Sequence, residues 1–289
     1  MVARTPRLAL ATTLIASLVS ACSGPYLPPD GFVVGGEERP AIVVPPPDHD
    51  PTMPTPLLVV LHGYMSDADE VERLFPLGSG AAVANVIVVR PEGTTDTARQ
   101  RFWNASEACC DLLDRGVDDE AYLLAVIDEI EATVAVSQVA VFGFSNGGFM
   151  AYTLACNHPE RFAAVVVLAG ALDDPPPGCG AEGPPRLLHI HGTDDPIIDY
   201  AGGALFQQPP YTGAETTVRT FADGAGCGDL VPGTPFDLDA DVEGNETVPL
   251  EAACTDDRRV TLWRIEGGRH EPAVRESFAA RVLGFAFPE

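Results

Sequence analysis

Between residues 57 and 190, five short runs are continuously apolar and rich in β-branched side chains: Leu57–Leu61, Val86–Val89, Val139–Phe142, Ala164–Leu168 and Leu187–Ile190. Runs without alternation suit strands buried on both faces, because a strand with one wet face carries a polar residue at every second position. Helical spacing lies between them, most clearly in Asp119–Glu131, where Tyr122, Leu123, Val126, Ile127 and Ile130 form one stripe, and again over Phe149–Asn157. Strand and helix in alternation predict an α/β chain with a mostly parallel central sheet and helices on both faces. Val33–Val34 and Ile42–Val44 are expected to add antiparallel strands at its start, Val260–Ile265 a last strand, and Ser277–Phe285 a closing helix. The 289 residues fit one large domain, since open α/β sheets commonly run past the usual ~150 residues per domain.

The first residues bear on compartment. Arg4 and Arg7 precede an apolar stretch from Leu8 to Leu18, and Val19-Ser20-Ala21 follows as a small-residue cleavage site, so residues 1–21 read as a signal peptide. Val19-Ser20-Ala21-Cys22 resembles the lipobox of bacterial lipoproteins, in which the cysteine is lipidated; plain cleavage after Ala21 is the alternative. Residues 22–31 are then a lipidated tether, and 32–289 a single domain in a secreted or extracytoplasmic setting, anchored to a bacterial membrane through Cys22. No other run approaches the ~20 apolar residues of a spanning helix. All 17 basic residues are arginine against 42 acids, a formal charge of −25 that loss of Arg4 and Arg7 would move to −27. A nucleic-acid partner is excluded, because a phosphate backbone needs a basic face.

Cys109, Cys110, Cys156, Cys179, Cys227 and Cys254 remain after Cys22. An even number in an exported chain reads as disulfides, and the paired Cys-x-x-Cys spacing of a zinc site is absent, so no metal is expected. Fifteen pairings are open on sequence alone. Cys227 and Cys254 bracket an acidic stretch, an insertion around residues 228–253 carrying Asp237, Asp239, Asp241, Glu243 and Glu246. The ligand order of a calcium loop is not met there. A solvated surface excursion closed by a Cys227–Cys254 bond is the expectation.

Gly143-Phe144-Ser145-Asn146-Gly147 follows the run Val139–Phe142 and precedes the helical stretch from Phe149. This is a G-x-S-x-G sequence in strand-turn-helix context, where glycines two residues either side let a sharp turn lift the serine hydroxyl clear of the sheet. A glycine-rich turn around a buried serine is the plainer alternative. A serine nucleophile needs a base, and in this architecture an acid and then a histidine follow it along the chain. Of six histidines, only His270 follows a late strand in a glycine-rich loop, Gly267-Gly268-Arg269-His270. Asp194, Asp195 and Asp199 all lie beyond the strand Leu187–Ile190 and all qualify as the acid. His191 opens that turn and reads as structural. The developing oxyanion needs two backbone N–H groups: Asn146, after the serine, and Tyr64, after Leu61-His62-Gly63.

Taken together, the chain resembles the secreted polyhydroxybutyrate depolymerases and feruloyl and acetylxylan esterases of the α/β-hydrolase fold. The resemblance spans about residues 57–270 and rests on Leu61-His62-Gly63, Arg90-Pro91-Glu92-Gly93, Trp103-Asn104-Ala105 with Cys109-Cys110, and Gly116-Val117-Asp118-Asp119. It continues through the serine motif, His191-Gly192-Thr193-Asp194-Asp195 and the His270 loop. It implies Asp195 as the acid and points to the same Cys227–Cys254 pair. It implies a serine carboxylesterase working through an acyl-enzyme on short-chain, hydroxyalkanoate or aromatic esters, polymeric ones included, with no cofactor. The rival readings are a peptidase or other acyl hydrolase on this fold, and a noncatalytic binding lipoprotein.

Two departures bear on substrate: Glu271-Pro272 stands where relatives carry Thr-Trp-Pro, and residues 208–256 are longer and more acidic. Phe144 and Trp103 are candidate substrate-binding residues, Trp103 with Phe102 by stacking on a ring, although anchoring of the long loop explains the tryptophan equally well. Asp118 and Asp119 read as helix caps.

Overall fold

The computed structural model describes residues 31–176, 178–179, 183–255 and 257–288. The expected signal segment, Cys22 and the tether as far as residue 30 lie outside the described residues. The described chain begins with β1 (Phe32–Val34), β2 (Ala41–Val44), β3 (Thr55–Leu61), α1 (Ala68–Leu74), α2 (Leu77–Ala84) and β4 (Ile87–Pro91). A small hairpin of β5 (Thr94–Thr95) and β6 (Arg101–Phe102) precedes α3 (Asp119–Glu131). Next come β7 (Val136–Phe144), α4 (Asn146–Asn157), β8 (Ala164–Leu168) and β9 (Arg186–Gly192). A second hairpin, β10 (Gly202–Ala204) with β11 (Pro210–Thr212), leads to α5 (Ala214–Gly224), β12 (Leu230–Pro232), β13 (Thr247–Ala252), β14 (Arg259–Ile265) and α6 (Ser277–Ala286).

Ten strands form one sheet in the order β1-β2-β4-β3-β7-β8-β9-β14-β13-β12. The six central strands, β4 to β14 in that order, are parallel, and the flanking pairs at both edges are antiparallel. The pleat explains the unbroken apolar runs. Leu57, Val59 and Leu61 pack with Leu123, Val126 and Ile127 of α3, Phe149 of α4 and Val218 of α5. Leu58 and Val60, pointing the other way, meet Val71 of α1, Leu77 of α2 and Val282 of α6. Burying each such side chain contributes about 1.5–3 kcal/mol, so a polar replacement anywhere in Leu57–Leu61 would be costly on either face.

The acidic stretch departs from expectation in part. It is solvent-exposed over most of 228–245, but its two ends form β12 and β13, which extend the sheet beyond β14. The reason is local. Leu238, Asp239, Glu246 and Thr247 are buried, and Glu246 Oε1 accepts the Leu238 and Asp239 N–H groups at 2.8 and 2.9 Å and the Thr247 hydroxyl at 2.7 Å. One carboxylate thereby satisfies donors that a buried turn would otherwise leave orphaned. The Cys227–Cys254 bond closes this segment as expected, and the other pairs are Cys109–Cys110 and Cys156–Cys179.

Candidate active site

The C-terminal ends of β3, β7, β9 and β14 converge, the place where open parallel sheets hold their sites. Ser145 joins β7 to α4 with φ 53° and ψ −118°, a backbone region that non-glycine residues rarely occupy and that surrounding structure must enforce. Here the glycines are obligatory. A Cβ on Gly143 would stand 2.1 Å from the Gly147 carbonyl oxygen, and one on Gly147 would stand 2.5 Å from that of Leu61. The Ser145 N–H donates to Leu168 of β8 at 2.9 Å, pinning the turn to the neighbouring strand.

Ser145 Oγ lies 3.0 Å from Nε2 of His270, whose Nδ1 is 2.8 Å from Oδ2 of Asp195. Asp195 is buried while Asp194 and Asp199 are exposed, which separates the three acids that the pattern left open. Its Oδ1 accepts the Ile197 and Ile198 N–H groups at 2.8 and 3.0 Å. Burial alone would push the Asp195 pKa up, but bonds from His191 and His270 outweigh it and hold the carboxyl well below the usual aspartate range. The His270 ring rests against Phe144, with centroids 5.1 Å apart. A serine, an imidazole and a fixed carboxylate in this order can deprotonate the hydroxyl and carry the proton to a leaving group.

Asn146 is the first residue of α4, so its N–H has no acceptor within the helix. Tyr64 follows β3, and no acceptor among the described residues takes its N–H. Both amides are thus left without a backbone acceptor. His62, unassigned from sequence, braces the peptide that precedes Tyr64. Its Nδ1 is 2.7 Å from the Gly63 carbonyl oxygen, and its Nε2 accepts the Gly93 N–H at 2.9 Å. Both acceptor and donor are backbone groups, so the ring is neutral with its proton on Nδ1; burial pushes its pKa down to about 4.

Trp103 takes the anchoring role and is not a cleft wall. It is fully buried, its indole N–H donates to the His62 carbonyl at 2.9 Å, and the cleft lining does not include it. Its backbone is clasped by the Asn146 side chain, Oδ1 accepting the Trp103 N–H at 2.7 Å and Nδ2 donating to its carbonyl at 2.9 Å. Large size and an indole donor with a buried partner explain this placement. Phe144 does line the cleft, which has a volume of about 680 Å³ and opens over Ser145 and His270. Met65, Leu74, Leu112, Ile197, Leu205 and Phe206 form most of its apolar wall, with Glu70 and Glu271 as its acidic members. Cys109 and Cys110 complete one side. Among the described residues no three His, Cys, Asp or Glu side chains are grouped to hold a metal, and no helix is long and apolar enough to cross a membrane.

Strand order, serine turn and site position define an α/β-hydrolase fold. Solved structures agree: the acetyl xylan esterase of Aspergillus awamori superposes with a TM-score of 0.59 at 15% identity, covering 88% of this chain and 97% of that one. Esterase PE8 does so with a TM-score of 0.53 at 19% identity, over 84% and 95% of the two chains. The family model described as "Esterase: Putative esterase" matches residues 34–209, and the chain belongs to that family. A relative named "Probable feruloyl esterase C" from Aspergillus terreus is 31% identical over 228 residues, 71% of this chain and 75% of its own length. "Putative esterase NocK" of Nocardia uniformis is 34% identical over 183 residues, 59% of this chain and 52% of its own. The chain thus spans about half the length of the first curated relatives it matches. The feruloyl and acetylxylan side of the expected resemblance is represented here; none of these relatives is a polyhydroxybutyrate depolymerase.

Proposed function

We propose that the chain is an exported serine carboxylesterase. The observation that carries this reading is the unbroken row Ser145–His270–Asp195 at the floor of an apolar cleft. Ser145 Oγ attacks the ester carbonyl while His270 Nε2 takes its proton, and Asp195 orients the ring and stabilises the imidazolium. The Tyr64 and Asn146 N–H groups receive the oxyanion. Collapse of the tetrahedral adduct expels the alcohol with the proton from His270, and water attacks the acyl-serine by the same route in reverse.

The cleft walls favour a neutral acyl group, short or aromatic, over an anionic one, because Glu70 and Glu271 border it and no lysine exists in the chain. The relatives' printed names make hydroxycinnamoyl esters the first class to try. Export through residues 1–21 and anchoring through a lipid on Cys22, with 32–289 as one catalytic domain, fit a chain whose six remaining cysteines all pair.

The deciding experiment is turnover of p-nitrophenyl acetate and butyrate by wild type and Ser145→Ala, followed by a panel of feruloyl, acetyl-xylan and hydroxybutyrate esters. Loss of turnover in the variant is expected. Wild-type turnover without Ser145 would end the serine mechanism, and a wild type inert on every ester would favour a binding protein. Palmitate labelling that survives Cys22→Ser would end the lipid anchor.

A further inference from the structure

Behind the triad the hydrogen bonding continues into the core. His189 and His191 sit two residues apart on β9, so both side chains leave the same face of the sheet, and their rings stack with centroids 5.1 Å apart. His191 Nε2 lies 2.8 Å from the Ile198 carbonyl oxygen and 3.3 Å from Asp195 Oδ2. His191 Nδ1 is 2.9 Å from His189 Nε2, and His189 Nδ1 is 2.5 Å from the Tyr152 hydroxyl on α4. His189, His191 and Tyr152 are each at most 1% exposed. The row from Tyr152 to Ser145 is therefore continuous through two imidazoles that the triad mechanism does not use.

Chemistry gives the row a direction. A carbonyl and a carboxylate only accept, so His191 Nε2 carries a proton; in the neutral ring Nδ1 is then an acceptor. That acceptor needs a donor, which is His189 Nε2–H, and His189 Nδ1 in turn accepts from the Tyr152 hydroxyl. Burial pushes His189 well below the ordinary histidine range and Tyr152 well above the ordinary phenol range, so both stay neutral. The remaining titratable groups facing the row are Asp195 and Tyr200, whose ring meets His191 edge-on at 5.7 Å. An imidazolium at His191 would reverse both inner bonds.

We propose that His191 is a positioning residue for Asp195, and that His189 and Tyr152 fix its tautomer so that each donor in the row points toward the carboxylate. This rests on the reading of Asp195 as the partner of His270. Oδ1 is held by two backbone N–H groups, whereas Oδ2 is shared between His270 and His191. The second imidazole fixes the carboxylate's rotation, keeping Oδ2 aimed at Nδ1 of His270 through each proton transfer. Without it, Oδ2 keeps only the bond from His270, the very ring that the carboxylate has to orient.

Two measurements on the full chain test this. Long-range ¹H–¹⁵N correlation with labelled histidine reads the tautomers without reference to activity: Nε2–H with bare Nδ1 is expected on both His189 and His191 near neutral pH. A proton on Nδ1 of either ring overturns the proposal. In kinetics, His191→Leu should lower kcat roughly ten- to hundredfold with KM within about twofold, the scale of one hydrogen bond to a charged group. His191→Gln, which retains an N–H at the side-chain end, should recover most of that loss. Equal losses in Leu and Gln variants would overturn the proposal. Tyr152→Phe keeps the ring stacked on Phe221 and serves if the Leu variant does not fold; a fall in kcat of roughly three- to tenfold at constant KM is expected, and unchanged kcat overturns it. Full turnover by Ser145→Ala would instead mark failure of the serine mechanism on which the triad reading rests, and the tautomer spectrum distinguishes the two.

Discussion

The Nδ1 atom of His62 lies 2.7 Å from the carbonyl oxygen of Gly63, the residue that follows it. That carbonyl belongs to the same planar peptide as the Tyr64 N–H, which points the opposite way across the trans bond. Holding one end of the plane aims the other. His62→Ala should therefore lower kcat on p-nitrophenyl butyrate roughly ten- to a thousandfold, approaching the loss of one oxyanion donor, with little change in KM. A rise in KM at constant kcat would place His62 in ground-state binding instead.

The same ring makes stability acid-sensitive. Its folded pKa is pushed down to about 4 from an ordinary value of 6.5. The unfolded chain thus takes up a proton before the folded one does, and stability falls as pH drops through that window, by roughly 3 kcal/mol in full. Asp195, held below the usual aspartate range, adds a contribution that is complete above that range and is lost only at still lower pH. Urea unfolding at pH 7.5 and 4.5 should show the loss in wild type and a visibly smaller one in His62→Gln. An identical pH dependence in both proteins would assign the sensitivity elsewhere.

Asp194 and Asp195 are neighbours with opposite fates. Asp195→Asn should lower kcat by about 10⁴, because the amide would favour the wrong imidazole tautomer, while Asp194→Asn should stay within a few-fold of wild type. Circular dichroism of both variants separates this from unfolding. The reverse ranking would hand the role to Asp194.

Net charge enters through substrate approach. The formal charge is −25, and Arg101 is committed to Glu92 at 2.9 Å and to the Gly93 carbonyl at 2.9 Å. A neutral ester should outpace its carboxylate-bearing analogue in kcat/KM at low salt, with the gap closing as salt screens the field beyond ~10 Å. An anionic ester preferred at low salt would point to a local cation such as exposed Arg269.

What could be read from the residues alone follows from how each signal arises. The central strands were legible because burial on both faces leaves unbroken runs such as Leu57–Leu61. The serine turn was legible because Gly143 and Gly147 answer steric demands that no other residue meets. The choice between Asp194 and Asp195 was not, since adjacent residues in a turn differ only in which one faces inward. Strands β12 and β13 were missed because they hold Pro232 and Pro249, β12 has only three residues, and neither carries an unbroken apolar run. Trp103 was ambiguous for a related reason: its composition signal is the same whether the ring meets a ligand or His62. The pairing of His189 with His191 leaves a trace in the sequence only as a two-residue spacing on one strand face.

A wide sheet of apolar strands is ordinarily a template on which further chains can polymerise. Among the described residues, this one offers only short edges. Its outermost strands, β1 and β12, are three residues each, and β12 ends in Pro232, which has no N–H to give. The Cys227–Cys254 bond holds that blunt margin in place even when local packing loosens. The acidic segment thus works as a selvedge, a finished border at which the sheet of the described residues stops at ten strands.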